Sequence, residues 1–160
     1  MCIKNGHVPT EEERKTIREG YKVFRVTVIR GKVYLRGVYY DDYYFKVGRI
    51  LRKWNKANLR GINETLGWEG NDHNAGFHVF LEMNDANLLL QDNSNNRDTE
   101  DSFVVLKVQM ENLLEIGLPN AMGAVQYEMN GNVVTCEYVR IIPRMEEIKQ
   151  LLKMQEKVKP

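Results

Sequence analysis

The sequence predicts an α+β fold in which a mainly antiparallel sheet of six or seven strands packs with two to four helices. Short runs of β-branched and aromatic residues recur along the chain, and turn residues such as Gly, Asn and Asp separate them. The chain has no internal repeat and no regular alternation of strands with helices, which disfavours a parallel sheet. A length of 160 residues suits one core, so we expect residues 1–160 to form a single globular domain.

Composition excludes some classes and gives little direction among the rest. The apolar fraction of 42% and the charged fraction of 28% are typical of soluble globular proteins, and a formal charge of +1 gives no global attraction to a polyanion. No apolar run approaches the roughly 20 residues that cross a bilayer, and the N-terminus lacks the apolar core of a signal peptide. We therefore expect a cytoplasmic protein without a membrane partner. Cys2 and Cys136 form neither a disulfide framework nor a zinc spacing.

The first third of the chain is predicted to form a helix and then a hairpin. Thr10 is a suitable N-cap, acidic residues follow it, and Gly20 is a suitable stop, which together indicate a short helix. The segments 21–29 and 33–40 are rich in β-branched and aromatic residues, and the tight turn between them makes them the arms of a hairpin. The segment 43–48 predicts a third strand.

The middle of the chain alternates between regular segments and polar loops. Helical spacing of apolar residues predicts helices, alternation predicts strands, and Gly, Asn and Asp mark the loops. The predicted segments are a helix over 49–60, a loop over 61–76, a strand over 76–83, a helix over 86–91, a polar loop over 92–101 and a strand over 102–110.

The C-terminal third is predicted to contain a connector, a hairpin and a final helix. The glycines and the proline of 113–123 favour a connector over a long helix. Asn130 and Gly131 predict the turn of a hairpin whose second arm is 132–142. Pro143 is suited to the first position of a helix, where its missing N–H costs nothing. The face of this helix that we expect to be apolar carries Met145, Ile148 and Leu152.

The segment 49–60 carries the strongest local charge. From residue 46 to residue 60 there are six basic residues and no acidic residue. On a helix, five of them would share one face, opposite a stripe of Ile50, Trp54 and Ala57. Such a face would attract nucleic acid or an acidic protein surface, although a solvated face without a partner fits the same pattern. The predicted basic face consists of Arg49, Arg52, Lys53, Lys56 and Arg60.

A second candidate binding surface is the aromatic cluster at 39–45, where four tyrosines and a phenylalanine surround Asp41 and Asp42. Tyrosine favours interfaces because its ring can be buried while its hydroxyl stays hydrated. A β-turn with aromatic arms and no binding role is the structural alternative. The tyrosines predicted to bind are Tyr39, Tyr40, Tyr43 and Tyr44.

The strand over 76–83 contains a histidine among apolar residues. Alternation directs Phe77 and Val79 into the core and His78 to the opposite face, beside an aromatic residue and a carboxylate. We expect His78 to be a structural residue that hydrogen-bonds a backbone carbonyl or a carboxylate, with ligand contact or acid–base catalysis as the alternative. A metal site is not expected, because His73 and His78 are five residues apart and no Cys/His pair completes them.

Several short motifs resemble a loose group of small uncharacterised proteins of bacteria and their phages. The motifs are a Met-Cys start, Y-K-V-F, Y-F-K-V-G-R, G-F-H-V-F before a helix with Asp85 and Ala86, V-V-L-K-V, and V-R-I-I. This similarity spans roughly residues 1–142. It implies a compact accessory protein, phage-encoded or bacterial, and brings no activity with it.

The order of a histidine-bearing strand, an alanine-containing helix, a V-x-L-x-V strand and a final strand is similar to the ADP-ribosyltransferase-like fold, including tRNA 2′-phosphotransferases. This resemblance implies that His78 contacts an NAD-type ligand and that Arg25 anchors a phosphate. The chain departs from the pattern, since Phe77 replaces the first histidine and the following serine is missing. Three hypotheses therefore stay open: a macromolecule-binding accessory protein without a cofactor, an NAD- or nucleotide-handling enzyme, and a structural component of a larger particle such as a virion.

Overall fold

The computed structural model describes residues 2–37, 44–46, 53–57, 76–95, 102–120, 129–147, 149–150 and 153. Within these residues, eight strands form one antiparallel sheet, accompanied by three helices. The strands are β1 (Cys2–His7), β2 (Glu19–Ile29), β3 (Lys32–Gly37), β4 (Tyr44–Lys46), β5 (Trp54–Lys56), β6 (Phe77–Phe80), β7 (Ser102–Asn120) and β8 (Val133–Ile141). The helices are α1 (Glu11–Thr16), α2 (Met83–Asn95) and α3, described at residues 145–147, 149–150 and 153.

The predicted α+β class with a mainly antiparallel sheet is confirmed. The β2–β3 hairpin is also confirmed, with Ile29 opposite Lys32 and a two-residue turn at Arg30 and Gly31. Both turn residues have positive φ, 52° and 75°, which is the geometry of a type I′ turn. None of the described helices is long and apolar enough to span a bilayer.

The sheet curls back on itself because β7 is long and bent. β7 pairs with β2 along its first half, with β8 along its second half and with β1 at its end. β8 in turn pairs with β6, and β6 reaches β2 through the pair Tyr21–Phe80, so that β2, β7, β8 and β6 close a ring. A φ of 54° at Asn112 and a register shift between Leu113 and Glu115 mark the bend.

Apolar side chains form a larger and a smaller buried cluster. On β2, Phe24 belongs to the larger cluster and Val23 to the smaller one, so the two clusters lie on opposite faces of this strand. The smaller cluster is covered by Ala86 and Leu89 of α2. Fully buried members of the larger cluster include Leu35, Val79, Leu106, Val108, Val139 and Ile141.

The prediction of a helix over 49–60 is wrong at its described residues. Trp54–Lys56 forms β5, which pairs with β8 through the pairs Trp54–Arg140 and Lys56–Tyr138. Helical propensity is a weak preference, and the hydrogen-bonding edge of β8 overrides it here. The predicted stripe of Trp54 and Ala57 is separated as well, since Ala57 is buried and Trp54 is largely exposed.

The prediction of a connector over 113–123 is wrong for its described part, because β7 continues to Asn120. The N-terminal strand β1, which the sequence did not indicate, supplies the partner for this extension, with Ile3 opposite Pro119. A proline is tolerated near the end of a strand, where few ladder hydrogen bonds remain to be lost. Long-range pairing therefore outweighs the local turn signal.

The helix boundaries differ from the predictions in both directions. α1 ends at Thr16, before Gly20, and carries a capping box between Thr10 and Glu13. α2 begins at Met83, so the strand before it ends at Phe80. In α3, Met145 is 63% exposed, which contradicts its predicted place on an apolar face. Ile148 and Leu152 of that face lie outside the described residues.

Asp85 of α2 holds the turn that precedes β8. Its side chain is fully buried, and its two carboxyl oxygens accept hydrogen bonds from the backbone N–H groups of Asn130 (3.1 Å) and Gly131 (2.8 Å). A Cβ atom at position 131 would lie 2.8 Å from Asp85 Oδ2, so a glycine is needed there. The predicted turn is thus fixed by a helix that packs against it. Most of the first arm of the predicted hairpin lies outside the described residues.

Candidate functional site

An open groove of about 900 Å³ lies on the surface of the sheet. It is bordered by the end of α1 and the segment that follows it, by Trp54 of β5, by the bend of β7 and by Arg140 of β8. Gln109 and Arg140 line it, whereas their neighbours Val108 and Ile141 point into the larger buried cluster. The groove is therefore built mainly on the sheet face opposite that cluster.

Four side chains from four adjacent strands form one row across the floor of the groove. Trp54 pairs with Arg140, Arg140 pairs with Gln109, and Gln109 pairs with Glu19. Residues directly opposite each other in antiparallel strands project to the same face. This set, which we call the floor row, is therefore placed by backbone pairing across β5, β8, β7 and β2.

The side chains of the floor row contact one another. Arg140 Nε donates a hydrogen bond to Gln109 Oε1 at 2.8 Å, and Arg140 Nη2 contacts the same oxygen. The Cζ atom of Arg140 lies 4.8 Å from the centroid of the Trp54 ring, which is within the range of a cation–π interaction. Trp54 is nevertheless 38% exposed. The groove thus contains an accessible indole that a guanidinium group supports.

Glu19, at the far end of the floor row, is neutralised locally. Its Oε2 atom lies 3.0 Å from Nζ of Lys107, and both side chains are about half exposed. The hydrogen bond and the charge of Lys107 lower the pKa of Glu19, and Glu19 raises the pKa of Lys107 in return. Glu19 therefore opposes the binding of an anion less than its own charge suggests.

The rim of the groove carries two arginines held by the backbone. Arg14 Nε donates to the Pro9 carbonyl at 3.3 Å, and Arg18 Nε donates to the Lys15 carbonyl at 3.1 Å. The Arg18 carbonyl accepts the N–H of Met110 at 2.8 Å, which ties this segment to β7. Three arginines and two glutamates line the groove, so the formal charge of its lining side chains is +1. Lys107 in addition offsets the charge of Glu19. The groove is therefore a locally positive surface on a nearly neutral protein.

The predicted binding residues are only partly described. Lys53 and Lys56 are exposed and flank Trp54 in the chain, but they are not among the lining residues of the groove. Tyr44 begins β4, and its side chain is outside the described part of the structure. The residues that lie wholly outside it are Arg49, Arg52, Arg60, Tyr39, Tyr40 and Tyr43.

The groove arginines were not predicted as binding residues. Arg14 and Arg18 lie close together in a stretch where three glutamates precede them, and Arg140 comes from β8, far along the chain. Only the pairing of β2, β7 and β8 brings them to one surface. The basic face predicted around Lys53 and Lys56 stays a prediction, and its predicted helix is wrong at the described residues.

The surroundings of His78 are partly as predicted. Phe77 and Val79 are buried, and His78 itself is half-buried, opposite Thr135 of β8. Phe80 lies on the same face of β6 as His78 and is buried beneath α2. That face is therefore covered at Phe80 by the smaller cluster. The His78 carbonyl accepts a hydrogen bond from Lys22 Nζ at 3.1 Å. A bond from the His78 ring to a carbonyl or carboxylate stays a prediction.

The enzyme hypothesis finds no support in the groove. Among its described lining residues are neither His78 nor Arg25, whose Cζ atom lies 5.8 Å from the Phe103 ring centroid. Burial raises the pKa of Cys136 to about 12, so its thiol is not a nucleophile at neutral pH. Within the described ranges, no cluster of three His, Cys, Asp or Glu side chains is arranged to hold a metal ion.

The groove is thus a positive surface that contains Trp54, which is 38% exposed and supported by the guanidinium of Arg140. The particle-component hypothesis and the two resemblances stay predictions. Comparison of the chain with protein-family models, with curated proteins and with solved structures finds no match in any of the three.

Proposed function

We propose that this protein is a small cytoplasmic accessory protein, bacterial or phage-encoded, that binds an anionic macromolecule in the groove without catalysis. The observation that carries the proposal is the convergence of Arg14, Arg18 and Arg140 on one open surface. Guanidinium groups present planar sets of donors that match carboxylate and phosphate oxygens. The exposed Lys53 and Lys56, which flank Trp54 in the chain, add positive charge near it.

The attraction in this proposal is local. The formal charge of the chain is +1, so long-range steering contributes little, and binding depends on close contacts inside the groove. Contacts of this kind are screened by salt, with a Debye length of about 10 Å at 0.1 M ionic strength. The proposal therefore requires affinity that falls as salt increases.

Charge reversal at the rim tests the proposal. Arg14→Glu combined with Arg18→Glu changes the charge of the groove while the floor row stays intact. A matched control combines Lys32→Glu with Lys149→Glu, two exposed positions that do not line the groove and give the same change in net charge. The probes are fluorescent single-stranded DNA, double-stranded DNA and poly-glutamate, each titrated at low and high salt.

We expect at least one probe to bind the native chain in a salt-dependent way and to lose roughly tenfold or more in affinity with the rim variant. The control variant should bind as the native chain does. If no probe binds, or if rim and control variants lose affinity equally, binding through the groove is refuted. A third variant, Lys53→Glu with Lys56→Glu, measures the share of the predicted basic face.

A further inference from the structure

We infer that the occupant of the groove is single-stranded nucleic acid, with a base stacked on Trp54 and phosphates farther along the strand against Arg14 and Arg18. This inference rests on the proposed function and specifies its ligand. It uses a feature that charge alone does not explain, namely a tryptophan that is 38% exposed at one end of the floor row.

Trp54 is positioned before any ligand arrives. It sits opposite Arg140 in the β5–β8 pair, and the guanidinium of Arg140 lies 4.8 Å from its ring centroid. Arg140 is itself held by its hydrogen bond to Gln109 at 2.8 Å. A base that stacks on the exposed part of the indole therefore extends an existing stack and immobilises few additional side chains. Such a preorganised aromatic platform is what single-strand binding proteins use, because every base has a π face.

The arginines are placed to meet the backbone of the same strand. Arg18 precedes Glu19, which lies three strand spacings of roughly 4.8 Å from Trp54. A strand that stacks a base on Trp54 and continues along the groove therefore brings the phosphates of later nucleotides to Arg14 and Arg18. Glu19, the acidic member of the floor row, is paired with Lys107 at 3.0 Å and repels a phosphate less for that reason. Arginine binds phosphate oxygens through two parallel donors, which fixes the position of the backbone as well as attracting it.

The same features disfavour the other anionic partners. In a duplex each base is already stacked and paired, so it cannot offer its face to Trp54 without being unstacked. An acidic protein surface would satisfy the arginines but would leave the indole without a stacking partner. A volume of about 900 Å³ lies within the range of roughly 300–1,000 Å³ typical of ligand clefts, which suits a short stretch of strand.

Tryptophan fluorescence tests the stacking directly. The chain contains two tryptophans, so Trp68→Phe leaves Trp54 as the single emitter. This protein would be titrated with a short oligodeoxythymidine, an abasic oligomer of equal length, a duplex of the same length and poly-glutamate. We expect the oligodeoxythymidine to quench Trp54, and the abasic oligomer to bind roughly tenfold more weakly.

Two variants separate the base contact from the phosphate contacts. Trp54→Leu should weaken binding of the oligodeoxythymidine by roughly 10- to 100-fold with little change in its salt dependence, while Trp54→Phe keeps most of the affinity. Arg14→Gln with Arg18→Gln should reduce the slope of log affinity against log salt by about one to two. Thermal melting of each variant checks that it is folded.

The outcomes distinguish the inference from the proposed function. If the duplex, the abasic oligomer or poly-glutamate binds as tightly as the oligodeoxythymidine, and rim charge reversal still abolishes binding, single-strand recognition is wrong and anion binding stands. Equal affinity of native chain and Trp54→Leu leads to the same conclusion. If the rim variant has no effect on any probe, both proposals fall.

Discussion

Two described regions of this protein hold cationic side chains in opposite environments. In the groove, Arg14 and Arg18 lie at exposed positions, and each is held by a single backbone carbonyl. Inside the larger core, Lys22 is 8% exposed, and its Nζ donates to the His78 carbonyl at 3.1 Å. A cation near the surface keeps N–H donors available for a ligand, whereas the donors of a buried cation offset the free-energy cost of its own desolvation.

The surroundings of Lys22 explain the cost of that position. Its Nζ lies 5.7 Å from the Phe24 ring centroid and 5.8 Å from the Phe77 ring centroid. Burial lowers the pKa of Lys22 from 10.5 to about 8, and the nearby Cys136 opposes this only slightly. Lys22 is therefore a charged group inside the fold at neutral pH, without access to the groove that Arg14 and Arg18 line.

Asp85 gives the strongest test of whether buried polar groups are held by their hydrogen bonds. We expect Asp85→Ala to lower the free energy of unfolding by about 2 to 5 kcal/mol, because the N–H groups of Asn130 and Gly131 lose their acceptor. Urea denaturation measures the change. Asp85→Asn keeps one acceptor oxygen and places an NH2 donor against the other backbone N–H. It should therefore destabilise the fold as well, while still accepting one of the two hydrogen bonds. A loss below about 1 kcal/mol for Asp85→Ala would contradict the view that hydrogen bonding, rather than packing alone, retains this side chain.

The pH dependence of stability tests the buried cation. Since the pKa of Lys22 falls to about 8 on folding from 10.5, the unfolded chain binds a proton in this window that the folded chain has lost. Stability should therefore rise as pH increases from about 8 toward 10.5, by roughly 3 kcal/mol in total. Denaturation at intervals across the window measures it. Other groups titrate there too, so the profile is compared with that of a variant without the lysine.

That variant, Lys22→Met, sharpens the same comparison. Methionine keeps the length of the side chain. Removing the buried charge should stabilise the fold by more than the lost hydrogen bond to the His78 carbonyl destabilises it. We therefore expect the free energy of unfolding to rise by about 2 kcal/mol at neutral pH. The rise in stability attributed to Lys22 should disappear. Lys32→Met, at an exposed position on β3, is the matched control and should change stability by less than about 0.5 kcal/mol. Destabilisation by Lys22→Met would mean that the ammonium contributes more than its burial costs.

The smallest effect on stability is expected in the groove. Arg14→Gln with Arg18→Gln should leave the free energy of unfolding within about 0.5 kcal/mol of the native value, because both side chains are exposed. The same variant is expected to weaken ligand binding. A large loss of stability would show that these arginines support the fold, and it would remove the contrast with Lys22.

Much of the fold was predictable because the strands carry local signals. The antiparallel class follows from three local signals. These are the alternation of apolar and polar residues in β2, the turn at Arg30 and Gly31, and the strand-forming residues of β8. The extension of β7 beyond 113 was not predictable, because Gly117 and Pro119 give a turn signal that only pairing with β1 and β8 overrides. Pairing between distant strands cannot be read from one sequence. Such pairing determined the two segments that were predicted wrongly, 49–60 and 113–123.

The candidate site was less predictable than the fold for the same reason. The basic run around Lys53 and Lys56 is visible in the sequence, but Arg14, Arg18 and Arg140 meet only through strand order. A usable signal for the buried cation did exist. Lys22 has the same parity as Phe24 in an alternating strand, which places its side chain on the core face.

The closure of the sheet has a consequence for motion. Among the described residues, β2 and β6 are joined by the single pair Tyr21–Phe80, whereas each of the other three junctions of the ring has four or more pairs. The ring should therefore part first along this seam, before any neighbouring ladder is disturbed. Amide hydrogens of β6 near Phe80 should then exchange with solvent faster than those in the middle of β7. Opening at this seam would disturb the smaller cluster, to which Phe80 belongs, and the edge of the groove that Leu81 lines.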